Sequence, residues 1–269
     1  MAGEPLSFRE TMKVTSKILW MAALLMSNLV QANDAGLEGE LATLYERALS
    51  AQEELRTSDA LAMLLRVEKL APDNAKVLQK IARQYSDSTV DTNNEARQIQ
   101  LLELALDYSL RATEVDPTDP VNVLSLAVVK GKIATLQSNQ AKVEAARVIK
   151  ADARRAIELN PDYAWAHHVL GRWHREVDEL GSIARFFTKI LYGGLPESSI
   201  DEAVFHLEKA TELEPENLNH FLELGFAYRA AGDSAKARSN FERGLQMPIK
   251  EKHDKAAKQR ARRALEQLG

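Results

Sequence analysis

Residues 221–241 read Phe-Leu-Glu-Leu-Gly-Phe-Ala-Tyr-Arg-Ala-Ala-Gly-Asp-Ser-Ala-Lys-Ala-Arg-Ser-Asn-Phe. Phe221, Leu224, Gly225 and Tyr228 fall three, four and seven apart, which places them on one face of a helix. Gly232-Asp233 breaks that helix, and Ala237 and Phe241, four apart, mark the inner face of a second one. Large side chains at 221, 224, 228 and 241 fill the space between the two helices. The small residues at 225 and 237 let the backbones come close. The stretch therefore spells a helical hairpin.

Working outward, the turn that ends one hairpin and starts the next recurs. Arg66-Val-Glu-Lys-Leu-Ala-Pro72, Arg111-Ala-Thr-Glu-Val-Asp-Pro117, Arg155-Ala-Ile-Glu-Leu-Asn-Pro161 and Lys209-Ala-Thr-Glu-Leu-Glu-Pro215 align in register. The prolines stand 45, 44 and 54 residues apart, and Pro248 follows 33 after Pro215. Periods in this range, with the 221–241 signature, are the tetratricopeptide pattern with Phe in place of the usual Trp. The spacing predicts an all-α solenoid of about five tetratricopeptide-like hairpins closed by a C-terminal capping helix. Leu78, Ile81, Ala82 and Tyr85 open a second unit whose partner residues Ala105, Ser109 and Ala112 come about 11 residues late. His167, Leu170, Gly171 and His174 open a fourth, its partners Ala203, Leu207 and Ala210 delayed by about 20. The first unit (Leu41, Leu44, Ala48, then Ala60, Leu64, Val67) and the third (Val123, Leu126, Ala127, then Ala156) carry weaker signatures. The solenoid spans 33–249 with an insertion at 181–199, and the cap spans 250–269.

Composition agrees. The chain has 269 residues, 45% apolar and 28% charged, with only 12 Gly and 8 Pro. With no cysteine, disulfide frameworks, thiolate-zinc sites and thiol nucleophiles are excluded. A net charge of −4 gives no reason to expect a nucleic-acid partner. From Met12, an alternative start, two lysines precede the uncharged run Ile18–Met26 and then Val30 and Ala32. This reads as a signal peptide over residues 1–32, and hence export, to the periplasm given the absence of cysteine. Retained, the same segment would be an N-terminal membrane anchor.

From about Glu95 to Pro248 the chain resembles the regulator of microtubule dynamics family of tetratricopeptide proteins. The resemblance is carried by Arg155-Ala-Ile-Glu-Leu-Asn-Pro161, Leu170-Gly-Arg-Trp173, and the Leu180–Pro196 block before Ala203-Val-Phe-His-Leu-Glu-Lys-Ala210. It implies a helical scaffold, in members tied to microtubules or organelle membranes. An export signal departs from that setting, so the fold is expected to transfer and the cytoskeletal role is not.

No catalytic motif is found. Lys130-Gly131-Lys132 lacks the remaining parts of a phosphate loop, and no His-Glu-x-x-His helix exists. His167 and His174, seven apart, read as packing residues rather than metal ligands; no metal or cofactor is expected. In such a stack the first helix of each hairpin lines the concave groove. Offsets from the motif put Lys76, Gln79 and Arg83 there from the second unit, and Trp165, His168, Arg172 and Arg175 from the fourth. The fifth adds Asn219, Leu222, Phe226 and Arg229. These positions hold five basic groups and no acid, which favours a protein or peptide partner, such as an acidic segment. The insertion carries Ile183, Phe186, Phe187, Ile190, Leu191 and Tyr192 with Arg185 and Lys189. It reads as a short helix on the fourth hairpin, or as an apolar wall for an anionic lipid whose headgroup meets the basic residues. The leading expectation is a non-catalytic interaction scaffold; the alternative is an anionic-lipid binder or carrier.

Overall fold

The structure, a computed structural model, describes residues 35–268, so the signal-peptide or anchor segment 1–32 lies outside the described residues. The described residues form α1 (Gly39–Glu53), α2 (Thr57–Glu68), α3 (Ala75–Ser88), α4 (Glu95–Val115), α5 (Pro120–Thr135), α6 (Asn139–Leu159), α7 (Ala164–Asp178), α8 (Gly181–Tyr192), α9 (Ile200–Leu213), α10 (Leu218–Ala230), α11 (Ser234–Gln246) and α12 (Asp254–Glu266). A short 3-10 turn, Thr89–Asp91, follows α3. The hairpins are α1/α2, α3/α4, α5/α6, α7/α9 and α10/α11, each helix packed most on its partner. The chain is an all-α tetratricopeptide-like solenoid of five hairpins and a cap.

The repeated prolines sit in the turns between hairpins, and polar residues just beyond them start the next helix. Asn74 Oδ1 accepts from the Val77 N–H at 3.1 Å, Asp119 Oδ1 from Val121 at 2.7 Å, and Asn217 Oδ1 from Asn219 at 3.1 Å. Each satisfies an N–H that the helix itself cannot.

Packing inside the hairpins follows the small-residue logic. A Cβ on Gly225 would lie 2.6 Å from the ring of Phe241, which is fully buried. The fourth hairpin repeats the arrangement: a Cβ on Gly171 would meet Leu207 Cγ at 2.7 Å and the Ala203 carbonyl oxygen at 2.9 Å. In the second and third units the small residues Ala105, Ser109, Ala112, Ala153 and Ala156 are buried in the same way.

The long hairpins absorb their extra residues differently. In the second unit they become the 3-10 turn and a 21-residue α4. In the fourth they become α8, the short helix expected of the insertion. Arg185 donates to the Val177 carbonyl at 3.0 Å and the Asp178 carboxylate at 2.9 Å, so it is tied inward rather than offered to a headgroup. At the other end Arg147 Nε donates to the Gly194 carbonyl at 3.1 Å. Gly193, with φ 75°, closes α8 in the left-handed conformation that glycine adopts without strain.

The closing helix starts at Asp254, four residues later than the spacing suggested. Ala261 and Ala264 pack it on α10 and α11. Lys258 is buried and donates to the carbonyls of Leu245 (3.0 Å) and Met247 at the end of α11. It therefore serves the C-terminal carbonyls of that helix instead of lying on a solvated face. Residues 248–253, left non-helical, form a strap that runs to the first half of the molecule.

Candidate functional site

The first helices of successive hairpins touch one another, α3 with α5 and α7 with α10, and make the inner row. Their periodicity decides which side chains face inward. On α3, Lys76, Lys80, Arg83 and Asp87 recur at four-, three- and four-residue steps and so share one stripe. Gln79 lies beside it, buried, its Nε2 donating to Ser125 Oγ on α5 at 3.0 Å. Arg83 is paired on two sides, with Asp87 Oδ2 at 3.5 Å and with Glu251 of the strap. Lys80 lies close enough to feel both Arg83 and Glu251. Burial, then Arg83, pushes its ammonium down to about 8. Lys132 of α5 donates to Ser86 Oγ at 2.7 Å, and burial also lowers its pKa.

On α7, Trp165 packs at a tilt against His168 and meets His220 edge-on, both with centroids 4.9 Å apart. His168 and His220 are buried with their Nδ1 atoms 3.0 Å apart. Burial, followed by His220, holds His168 well below the usual imidazole range. Arg172 is the exposed member of the set, its Nε donating to Glu176 at 2.7 Å. Arg175 is buried against Glu223 of α10, which is only 2% exposed. Burial alone would raise the Glu223 carboxyl, but Arg172, Arg175 and Arg260 hold it at about 2.

The fifth-unit positions lie under α12. Asn219 Nδ2 donates to Asp254 Oδ1 at 2.7 Å, Arg229 approaches Gln267 at 3.5 Å, and Leu222 is buried in the core. Phe226 is buried beneath three guanidinium groups, those of Arg260, Arg229 and Arg175, at 4.9, 5.2 and 5.6 Å.

The expectation of an inner face with basic groups and no acid is thus corrected. Glu223 and Asp87 lie among the bases, and the strap adds Glu251. Steps of three and four residues along one register reach Leu222 and Phe226 and pass over Glu223. Glu223 sits one position beyond Leu222, where the α7–α10 crossing turns it inward. Lys80 was legible as the missing step between Lys76 and Arg83. The strap's pairing carries no local signal, because the side chains of Glu251, Lys252 and His253 meet partners 121–168 residues away. The structure brings Arg83, Lys80, Lys132 and, through its effect on Lys132, Arg172 together in one charged neighbourhood. Trp165 stands beside the histidine pair, and Lys76 begins the α3 stripe. Among the described residues no cluster of three or more His, Asp or Glu could hold a metal ion, and no helix is long and apolar enough to cross a membrane.

The fold recurs among known structures. A thermophilic tetratricopeptide repeat protein of Thermus thermophilus superposes with a TM-score of 0.61 at 16% identity, over 84% of this chain and 98% of that one. Regulator of microtubule dynamics protein 1 of Bos taurus is 29% identical over 145 residues, 53% of this chain and 45% of that protein. The human regulator of microtubule dynamics protein 2 is 24% identical over 197 residues, 73% of this chain and 48% of that protein. The chain spans about half the length of these relatives. The sequence profile described as regulator of microtubule dynamics protein 1-3 matches residues 40–269, nearly all of the solenoid and its cap, and the chain belongs to that family.

Proposed function

We propose that the protein is a non-catalytic interaction scaffold whose inner face takes an acidic segment of a partner protein. The observation that carries this reading is the Arg83 neighbourhood. There a carboxylate, that of Glu251, is already held by a guanidinium within the field of Lys80. A site that holds one carboxylate in a half-buried, multiply cationic setting suits others. Arg175, buried against Glu223, is a poor first contact; Arg83 and Arg172, though paired with Glu251 and Glu176, are more exposed and are better ones. Fluorescence anisotropy with a labelled oligoglutamate peptide at low salt tests the reading. Binding should be saturable, weaken with salt, and be lost in an Arg83→Glu, Arg172→Glu double variant. Equal affinity in that variant overturns it.

A second reading has its own observation. Phe186, Ile190 and Leu191 of α8 are 60–61% exposed beside Lys189. Such a surface suits contact with the headgroup–acyl boundary of an anionic membrane. Sedimentation with phosphatidylglycerol vesicles, abolished by Phe186→Glu and Ile190→Glu, would support it. Export through residues 1–32 is proposed on the sequence of that segment alone, and an N-terminus at Asn33 in the protein isolated from its host would establish it.

A further inference from the structure

The strap between Pro248 and His253 is shaped by a dedicated residue. Asp254 is buried, and its Oδ2 accepts the backbone N–H groups of Lys250 at 2.7 Å and Glu251 at 2.8 Å, while Oδ1 accepts from Asn219. A carboxylate at the N-cap, the place His253 holds here, would serve the helix's own amides, whereas Asp254 stands one position inside. This one instead fixes the chain just before it, so that three successive side chains reach across to the opposite half of the molecule. Glu251 pairs with Arg83. Lys252 Nζ lies 2.9 and 3.0 Å from the two carboxylate oxygens of Asp91. His253 Nε2 lies 3.4 Å from Asp87 Oδ1 and 3.4 Å from Lys132 Nζ.

We propose that the strap is an internal ligand. Glu251 occupies the carboxylate site at Arg83, and an acidic side chain of a partner peptide takes that site by displacing it. The inference rests on the scaffold reading above and adds its regulation. Three properties make the strap displaceable rather than structural. Its ties are ion pairs between partly exposed groups, individually weak and screened by salt. Its turn is held through the main chain by Asp254, so it does not depend on the Glu251 side chain. The cap it leads into is anchored separately, by Ala261, Ala264 and Lys258, and need not move when the strap lifts. Being covalently attached, Glu251 competes at a high effective concentration and lowers the apparent affinity of any acidic partner.

The test titrates the same labelled oligoglutamate peptide into the full chain and into Glu251→Gln, Lys252→Ala and Arg83→Glu variants, each first checked for native helicity and melting. Freeing the site should tighten binding roughly tenfold in Glu251→Gln, with a smaller gain in Lys252→Ala and loss in Arg83→Glu. Equal affinity of the parent, Glu251→Gln and Lys252→Ala proteins, with Arg83→Glu still defective, overturns the internal ligand and leaves the scaffold reading standing. Absence of binding to both the parent and Glu251→Gln overturns the scaffold reading, and this inference with it.

Discussion

Gly171 and Glu223 show how single residues hold this solenoid together. At Gly171 the neighbours of an added methyl group would be the fully buried Leu207 and a backbone carbonyl of α9, neither of which can yield cheaply. Gly171→Ala should therefore destabilise by about 1–3 kcal/mol, as overpacking does in a closed interface. That corresponds to a fall in melting temperature of roughly 2–4 °C per kcal/mol for a chain of this size. An unchanged melt would mean that α7 and α9 can separate freely. Glu223 makes the converse point. Glu223→Gln leaves Arg175 buried with its main counter-charge gone, and urea unfolding should show a loss of about 3–5 kcal/mol. Replacing both partners, Glu223→Leu with Arg175→Met, should recover most of it, because the pair's desolvation penalty goes too. The glycine was legible in the sequence from its place between Leu170 and the delayed Ala203. Glu223 was not. Its burial depends on how two first helices cross, and helical spacing within one of them does not encode that.

The layer formed by α7, α9 and α10 gathers histidines at facing positions. His167 meets His206 with Nδ1 atoms 3.0 Å apart, and His168 meets His220 in the same way. Burial holds His174 and His206 at about 4, against an ordinary 6.5. With folded values below unfolded ones, these groups favour the fold above pH 6.5. That stability is lost as the pH falls toward 4, since the unfolded chain binds protons that the folded chain refuses. Each such histidine lowers stability by about 1.4 kcal/mol per pH unit in that window. Urea midpoints measured between pH ~7.5 and ~4.5 should fall steeply, and His206→Asn should flatten the slope; a flat parent profile would contradict neutral packing of the layer. Glu223 titrates lower, between its ordinary 4.5 and about 2, so its contribution separates from theirs. At this scale most of the architecture could be read from the sequence. The hairpins follow from proline turns and small-residue positions, and α8 from the spacing of Phe186, Ile190 and Leu191. The fate of the second unit's extra residues could not, since nothing local distinguishes a longer α4 from an added helix.

Across the whole molecule, the strap joins the last hairpin to the second and third through contacts that no repeat unit contains. Solenoids are ordinarily stabilised by nearest neighbours alone. A clasp of ion pairs between distant units adds a salt-dependent term that acts on the two halves together. Raising ionic strength should therefore increase amide exchange in Pro248–His253 and in the 3-10 turn at Thr89–Asp91 before it affects the hairpin cores, whose contacts are apolar. Uniform exchange changes along the chain would contradict a local clasp. The most direct test of the inner face as the binding surface is hydrogen exchange of the full chain at low salt, with and without saturating oligoglutamate peptide. The account predicts slower exchange in α3 and α5 around Arg83 and Lys132, with faster exchange in the strap as Glu251 is displaced. Protection confined to α8, or an unchanged α3, would contradict it.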